Sequence, residues 1–344
     1  MTSNKFFSPS LSLISIEKLI SIELDNRKQA QAFDGLREAQ RFFCDFLPIA
    51  TEFVYEYNSI RHELYELIGA KSRNADSVAS VDDRLVSIHN KGVGFVARWA
   101  SDYFIKPHQF TKPRENVTVT IRYFGKNASG DYVAPVIQSV GPRRVESRIQ
   151  VALDASLAEF KKSKRPNHMS KDEGPSEKRT GAYICNNLVD WAMQSRFFHP
   201  SLHEGNHRSL ALLQKAYHSP YNRLFRNRSK RIAPKVIDQW KACWNESDEY
   251  ITSIASFPIT LANNSVPKKL ADALTADGKS FDSHEVFGVI VLETPSPFAF
   301  NVGDVLMGRI WADALFTFAG AANHYYELSK LRKQLGEPIV SLTT

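Results

Sequence analysis

The chain has 344 residues, 43% apolar and 24% charged, with 44 Lys and Arg against 37 Asp and Glu for a net charge of +7. Such a chain can bury one large core or two ordinary ones. Three widely spaced cysteines, Cys44, Cys185 and Cys243, with no C-x-x-C pair, argue against a disulfide framework and against thiolate zinc sites, and suit a reducing compartment.

The N-terminus lacks the charged, apolar and small-residue regions of a secretory signal. The most apolar early stretch, residues 42–57, carries Asp45, Glu52 and Glu56 and is broken by Pro48, so it falls short of the roughly 20 apolar residues of a spanning helix. A cytoplasmic protein without membrane contact is the expectation.

In residues 10–32, Leu13, Ile16, Ile20 and Leu24 recur at helical spacing, and residues 33–70 continue with Phe33, Leu36, Phe43, Phe46, Phe53, Ile60 and Leu64 up to Gly69. Pro48 should kink or divide this second helix. Helices this amphipathic need a partner, either the rest of the chain or a second copy. Residues 70–83 read as a polar linker offering Ser80 or Asp82 as an N-cap. A third helix follows to Ile105, weakened by Gly92 and Gly94.

Beyond it the period changes to two. "NVTVTIRYFG" (116–125) and "YVAPVIQSVG" (132–141), joined by the turn cluster "KNASGD", make a β-hairpin. Residues 143–162 return to helical spacing, and 162–181 have no apolar period and read as a mobile loop. "DEYITSIASFPITL" (248–261) and "EVFGVIVLETP" (285–295) are the clearest remaining strands. A long helix from about Asn301 or Gly303 closes the chain.

The charge is uneven. Residues 161–240 hold 16 Lys and Arg against six Asp and Glu, a balance of +10, whereas the rest of the chain stands at −3. A local basic surface attracts phosphate-bearing partners, although a solvated face that keeps an insertion soluble accounts for the same numbers.

"SIASFPITL" followed by "EVFGVIVLETPSPFAFNVGDVLMGRIWADALFTFA" resembles a GAF domain, the small-molecule sensor module of the GAF/PAS type. The likeness rests on Pro258 in mid-strand, on Gly288 opening a "GVIVL" strand, and on Phe300 and Asp304 opening the last helix. The hairpin is similar to the family's first two strands. The resemblance implies an α+β fold with an antiparallel sheet flanked by helices over residues 81–335, a basic insertion at about 143–247, and an N-terminal helical, coiled-coil-like dimerisation segment over 1–78. It implies a ligand sensor that signals through its helices. The "NKFDE" set of cyclic-nucleotide GAF domains is not intact, which leaves another nucleotide or small molecule as the expected ligand.

Candidate ligand contacts fall in three places. Tyr183, Asn186 and Asn187 lie in "GAYICNNLVD" beside the Cys185 strand, where paired amides are suited to read a base edge; a simple turn is the alternative. "YNRLFRNRSKR" (221–231) interleaves Tyr221 and Phe225 with Arg223, Arg226, Arg228, Lys230 and Arg231, the residue types that grip phosphates and stack on bases. The alternative there is a charged helix surface with two buried aromatics. Glu293 ends the second late strand, and a shared cavity would unite it with Tyr183, Asn186 and Arg223.

One further motif suggests chemistry. His203-Glu204-Gly205-Asn206-His207 fits H-E-x-x-H, in which two imidazoles on one helical face hold zinc and the glutamate serves as base. Gly205 and Asn206 are poor helix formers, and the next acidic residue after His207 is Asp238, so a third ligand is not evident. A zinc-dependent hydrolase is therefore the alternative reading, and an adaptor with an empty GAF-like fold is another. No phosphate-binding glycine loop, dinucleotide fingerprint, helix-turn-helix or zinc-finger spacing is present. No cofactor is expected, and the partners expected are a second copy of the chain, a small molecule or nucleotide, and a further protein, with nucleic acid left open.

Overall fold

A buried stripe of Ala39, Phe42, Phe46, Phe53, Ile60 and Leu64 at helical spacing runs along one continuous helix, α1 (Pro9–Gly69). The structure is a computed structural model describing residues 9–69, 75–123, 125–126, 132–133, 136–141, 183–194, 207–229, 231–244, 250–260 and 286–335. Contrary to expectation, α1 does not divide at Pro48. Proline removes one N–H and so orphans the carbonyl of Cys44, but both residues are on the exposed side, where solvent can bond that oxygen. Phe46 and Phe53, on either side of Pro48, both pack edge-on against Phe318, with ring centroids at 6.0 and 4.7 Å. Tertiary contact carries the helix through its weak point.

The second helix, α2 (Ala75–Ile105), begins inside the stretch expected to be a linker. Val78, Val81 and Leu85 are buried, and Asp82 is not a cap but a wholly buried interior residue that accepts a hydrogen bond from Arg332 at 2.7 Å. Core contact at this spacing outweighs the weak helix propensity of the small polar residues between. Gly92 turns out to be useful rather than weakening. A Cβ there would stand 2.3 Å from the Phe318 ring, so only glycine allows α2 this close to the closing helix.

The strands are β1 (Thr118–Tyr123), β2 (Gly125–Lys126), β3 (Tyr132–Val133), β4 (Val136–Val140), β5 (Tyr183–Cys185), β6 (Ser253–Thr260) and β7 (Val286–Thr294). Five form one sheet in the order β4-β1-β7-β6-β5, antiparallel throughout, while β2 and β3 make a separate ribbon. The expected hairpin is the β1/β4 pair, with a register shift between Ile121 and Arg122. Pro258 faces Val289 and Ile259 faces Gly288, so the two late strands are neighbours. A Cβ on Gly288 would come within 2.1 Å of the Arg122 carbonyl oxygen, which explains the glycine where β7 meets β1. Cys185 sits on the edge strand β5, beside the interior strand β6.

Side chains alternate across the sheet, and each face has its own helices. Val119, Ile121, Tyr123, Ala255, Phe257, Ile259, Ile290 and Leu292 join α1, α2 and α7 (Val302–Gln334) in one core. On the other face, Ile254, Val289 and Val291 pack beneath a layer of short helices. These are α3 (Leu188–Gln194), α4 (His207–Tyr217), α5 (Pro220–Ser229) and α6 (Pro234–Cys243). The protein is thus α+β, and α1 belongs to the same core as the sheet. Residues 143–181, expected as a helix and a loop, lie outside the described residues. No described helix is long and apolar enough to cross a membrane.

The start of α7 follows from its sequence. The Asn301 side-chain oxygen accepts from the N–H groups of Gly303 and Asp304 at 2.8 and 3.2 Å, and Asp304 accepts from the Asn301 N–H at 2.7 Å. This reciprocal cap places an acid at the positive end of the helix. Arg114 adds two bonds to Asp304, the second at 2.6 Å, and donates to the Ala299 carbonyl at 2.7 Å. Phe300, expected as the loop's anchor, is buried against Phe104 at 6.2 Å.

Candidate ligand site

The interior strand β1 reads Thr118-Val-Thr-Ile-Arg-Tyr and is buried along its whole length on both faces. Its apolar residues point into the large core. Alternation therefore sends Thr118, Thr120 and Arg122 to the opposite face, beside the short-helix layer. The pairing extends this polar strip across the sheet. Ser139 faces Thr120, Thr120 faces Val291, and Val291 faces Ser256, giving one cross-strand row, while Glu293 faces Thr118 in the next.

The hydroxyl oxygens of Thr118, Thr120, Ser139 and Ser256 are buried and have no hydrogen-bond partner. Each such group costs about 1–3 kcal/mol relative to a bonded one, so four on one face are not neutral core chemistry. Arg122 and Glu293 are buried at 4% and 3% exposure, and each is engaged with other groups of the chain. Arg122 and Glu293 mark the two ends of the strip, four residues apart in register along β1. The strip can offer hydroxyl donors and acceptors in its middle. That arrangement suits a small polar molecule better than an apolar one.

No protein-family model matches the chain, and no curated protein does either. The site must therefore be judged on its own geometry.

Of the residues picked out from the sequence, Glu293 lies on this strip, and Tyr183 is in register with Ser256 on the neighbouring strand. Asn186 bonds the chain itself: its side chain donates to the Phe300 carbonyl and accepts from the Phe300 N–H, both at 2.9 Å. It ties the start of α3 to the loop that opens α7. Asn187 caps α3, accepting from the Asp190 N–H at 3.0 Å.

Tyr221 and Arg223 are on the exposed side of α5, away from the buried strip. Arg226 donates to Asp190 and to the Tyr217 hydroxyl, both at 3.0 Å, which fastens α5 to α3. Of Tyr183, Asn186, Arg223 and Glu293, the first and last lie on neighbouring stretches of the sheet and the other two are placed differently. Asn186 is bonded to Phe300, and Arg223 is exposed whereas Glu293 is buried.

His207 begins α4 and is exposed, while His203 and Glu204 lie outside the described residues. Among the described residues no three His, Cys, Asp or Glu side chains are grouped to hold a metal ion. Burial pushes the Cys243 thiol up to about 11, so it is held as an unreactive thiol.

Thr118, Thr120, Arg122, Ser139 and Ser256 did not stand out in the sequence. The one signal was the alternation of polar residues within a strand of strong β propensity. That pattern ordinarily marks a solvent-facing side, and only burial of both faces gives it another meaning.

Proposed function

We propose that the protein is a GAF-like sensor that binds a small polar molecule, with a nucleotide among the candidates, on the strip of Ser139, Thr118, Thr120, Ser256, Arg122 and Glu293. The observation that carries this reading is the set of four buried, partnerless hydroxyls on one sheet face. Supporting the likeness are the adjacent pairing of the Pro258 and Gly288 strands, the hairpin beside them, and the Phe300–Asp304 start of the last helix. Binding would act by population shift, favouring one packing of the short-helix layer or of α1 over another.

The test is a thermal-shift screen with nucleotides and polar metabolites, repeated on Thr120→Val. Valine keeps the shape and removes the unbonded hydroxyl. The variant is expected to be more stable than the parent by about 1 kcal/mol without ligand and to lose the ligand-induced shift. A variant that is no more stable and still responds to the same ligand would remove the strip from consideration.

Signalling through a second copy is supported by the outer side of α1. Phe33, Leu36, Phe43, Leu47 and Val54 are 67, 55, 52, 67 and 48% exposed and repeat at three-, four- and seven-residue spacings on a side of the helix about 100° round from the buried stripe. One helix with two apolar faces has one more than its own domain uses. Leu47→Glu is expected to convert a dimer to a monomer in sedimentation velocity with an unchanged circular dichroism spectrum. A parent chain that sediments as a monomer at tens of micromolar would end the dimer reading.

A further inference from the structure

Helix α5 faces the wrong way for an ordinary surface helix. Its one buried residue is Asn222, at 2% exposure, whose side chain donates to the Tyr217 carbonyl at 2.8 Å and accepts from the Ala233 N–H at 3.3 Å. Arg226 holds the same side to Asp190. Outward go Tyr221 at 60% exposure and Leu224 at 52%, with Leu212 of α4 at 44%. The Tyr221 and Phe225 rings lie 5.9 Å apart and tilted by 33°. Phe225 packs against the core beneath the short helices and, with Asn222 and Arg226, docks α5, which leaves Tyr221 and Leu224 as an outward apolar surface for something else.

Charge indicates what that is. Residues 207–241 contain nine Lys and Arg and a single acid, Asp238. Among the described residues Arg208, Lys215, Arg228, Arg231 and Lys235 are exposed and take part in no ion pair. Unneutralised cations around the exposed Tyr221 ring combine phosphate attraction with a flat stacking surface, which is the chemistry of single-stranded nucleic-acid binding. An anionic membrane surface also joins acid to grease, but an interfacial helix separates a wide apolar face from its cations. In α5, ten residues long, Arg223 sits between Tyr221 and Leu224 in sequence, and Arg226 and Arg228 follow Phe225 within three residues.

We infer that the outer face of α4 and α5 binds single-stranded nucleic acid, its phosphates on Arg223, Arg228 and Arg231 and its bases against Tyr221. This surface is separate from the buried strip on the sheet, and neither reading depends on the other. The short-helix layer nonetheless touches both, which would let occupancy of one alter the other.

The experiment is fluorescence anisotropy of the full chain with a labelled 20-nucleotide oligouridine, from 50 to 200 mM salt, alongside a sedimentation assay with phosphatidylserine vesicles. The parent is expected to bind the oligonucleotide with affinity that falls steeply as salt rises. Tyr221→Ala should weaken binding about tenfold or more. Arg223→Gln/Arg228→Gln/Arg231→Gln should flatten the logarithmic salt dependence by about 2, from roughly 0.7 per phosphate contact, and the matching triple Lys variant should restore it. Melting temperatures of the variants within a few degrees of the parent's would separate lost contact from lost fold. Absence of binding at 50 mM salt, binding that folded variants of both kinds leave unchanged, or capture by vesicles without capture by the oligonucleotide each overturns the proposal.

Discussion

Replacing Arg114 with alanine is expected to lower the free energy of unfolding by about 3–5 kcal/mol, the cost of leaving a buried charge without its partner. The Asp304 side chain is 1% exposed, and Arg114 reaches it with two nitrogens while also bonding the Ala299 carbonyl and lying 4.8 Å over the Phe104 ring. Removal would leave the buried Asp304 carboxylate with the Asn301 N–H and the neighbouring Tyr103 hydroxyl in place of a guanidinium. Urea unfolding at pH 7 measures the loss. Replacing the pair together, Arg114→Met with Asp304→Leu, is expected to recover much of it, because breaking a buried pair costs more than not having one. A single-variant loss below about 1 kcal/mol would show that the pair is peripheral to stability.

The second large effect is on acid stability and centres on His89. The ring is fully buried in α2, edge-on to Tyr123 at 5.5 Å, with Nδ1 3.1 Å from the Asn90 amide oxygen and no partner for Nε2. Burial disfavours the imidazolium and pushes the pKa down to about 4, against the weaker opposite pull of Asn90. In the unfolded chain the same group titrates near its ordinary value of 6.5.

Between those values the unfolded state binds a proton that the folded state refuses, so stability falls as pH drops from about 6.5 and the loss is complete near 4. The full contribution is about 3 kcal/mol. Urea midpoints from pH 7.5 to 4.5 are expected to fall for the parent and to fall markedly less for His89→Leu. Parallel pH profiles for the two proteins would show that His89 is not the group responsible.

Much of the frame could be read from letters alone. The helical recurrence from Phe42 to Leu64, the hairpin, the strands around Pro258 and Gly288, and the start of α7 each show in a periodic or capping pattern among residues close in sequence. Errors came where distant packing overrode a local preference. Pro48 did not end α1 because Phe46 and Phe53 share Phe318, and residues from Ala75 onward became helix because Val78 and Val81 found a core.

The candidate site was less legible, for a related reason. Glu293 was picked out, but Thr118, Thr120, Ser139 and Ser256 resemble any solvent-facing strand residues until the sheet is assembled. The arginines of α5 were visible in sequence. That α5 buries Asn222 and Arg226 contacts while exposing Tyr221 and Leu224 was not, since the helical period of the segment gives no hint of which face docks.

By itself the sequence determined the periods, the start of α7 and the uneven charge, because these depend on composition and on neighbours within a turn or a strand. Only the tertiary structure decided which polar side chains lose contact with water. Burial is a property of what lies across from a residue, and β1 is flanked in the sheet by β7, more than a hundred residues on, and lies beside short helices that begin more than sixty residues on.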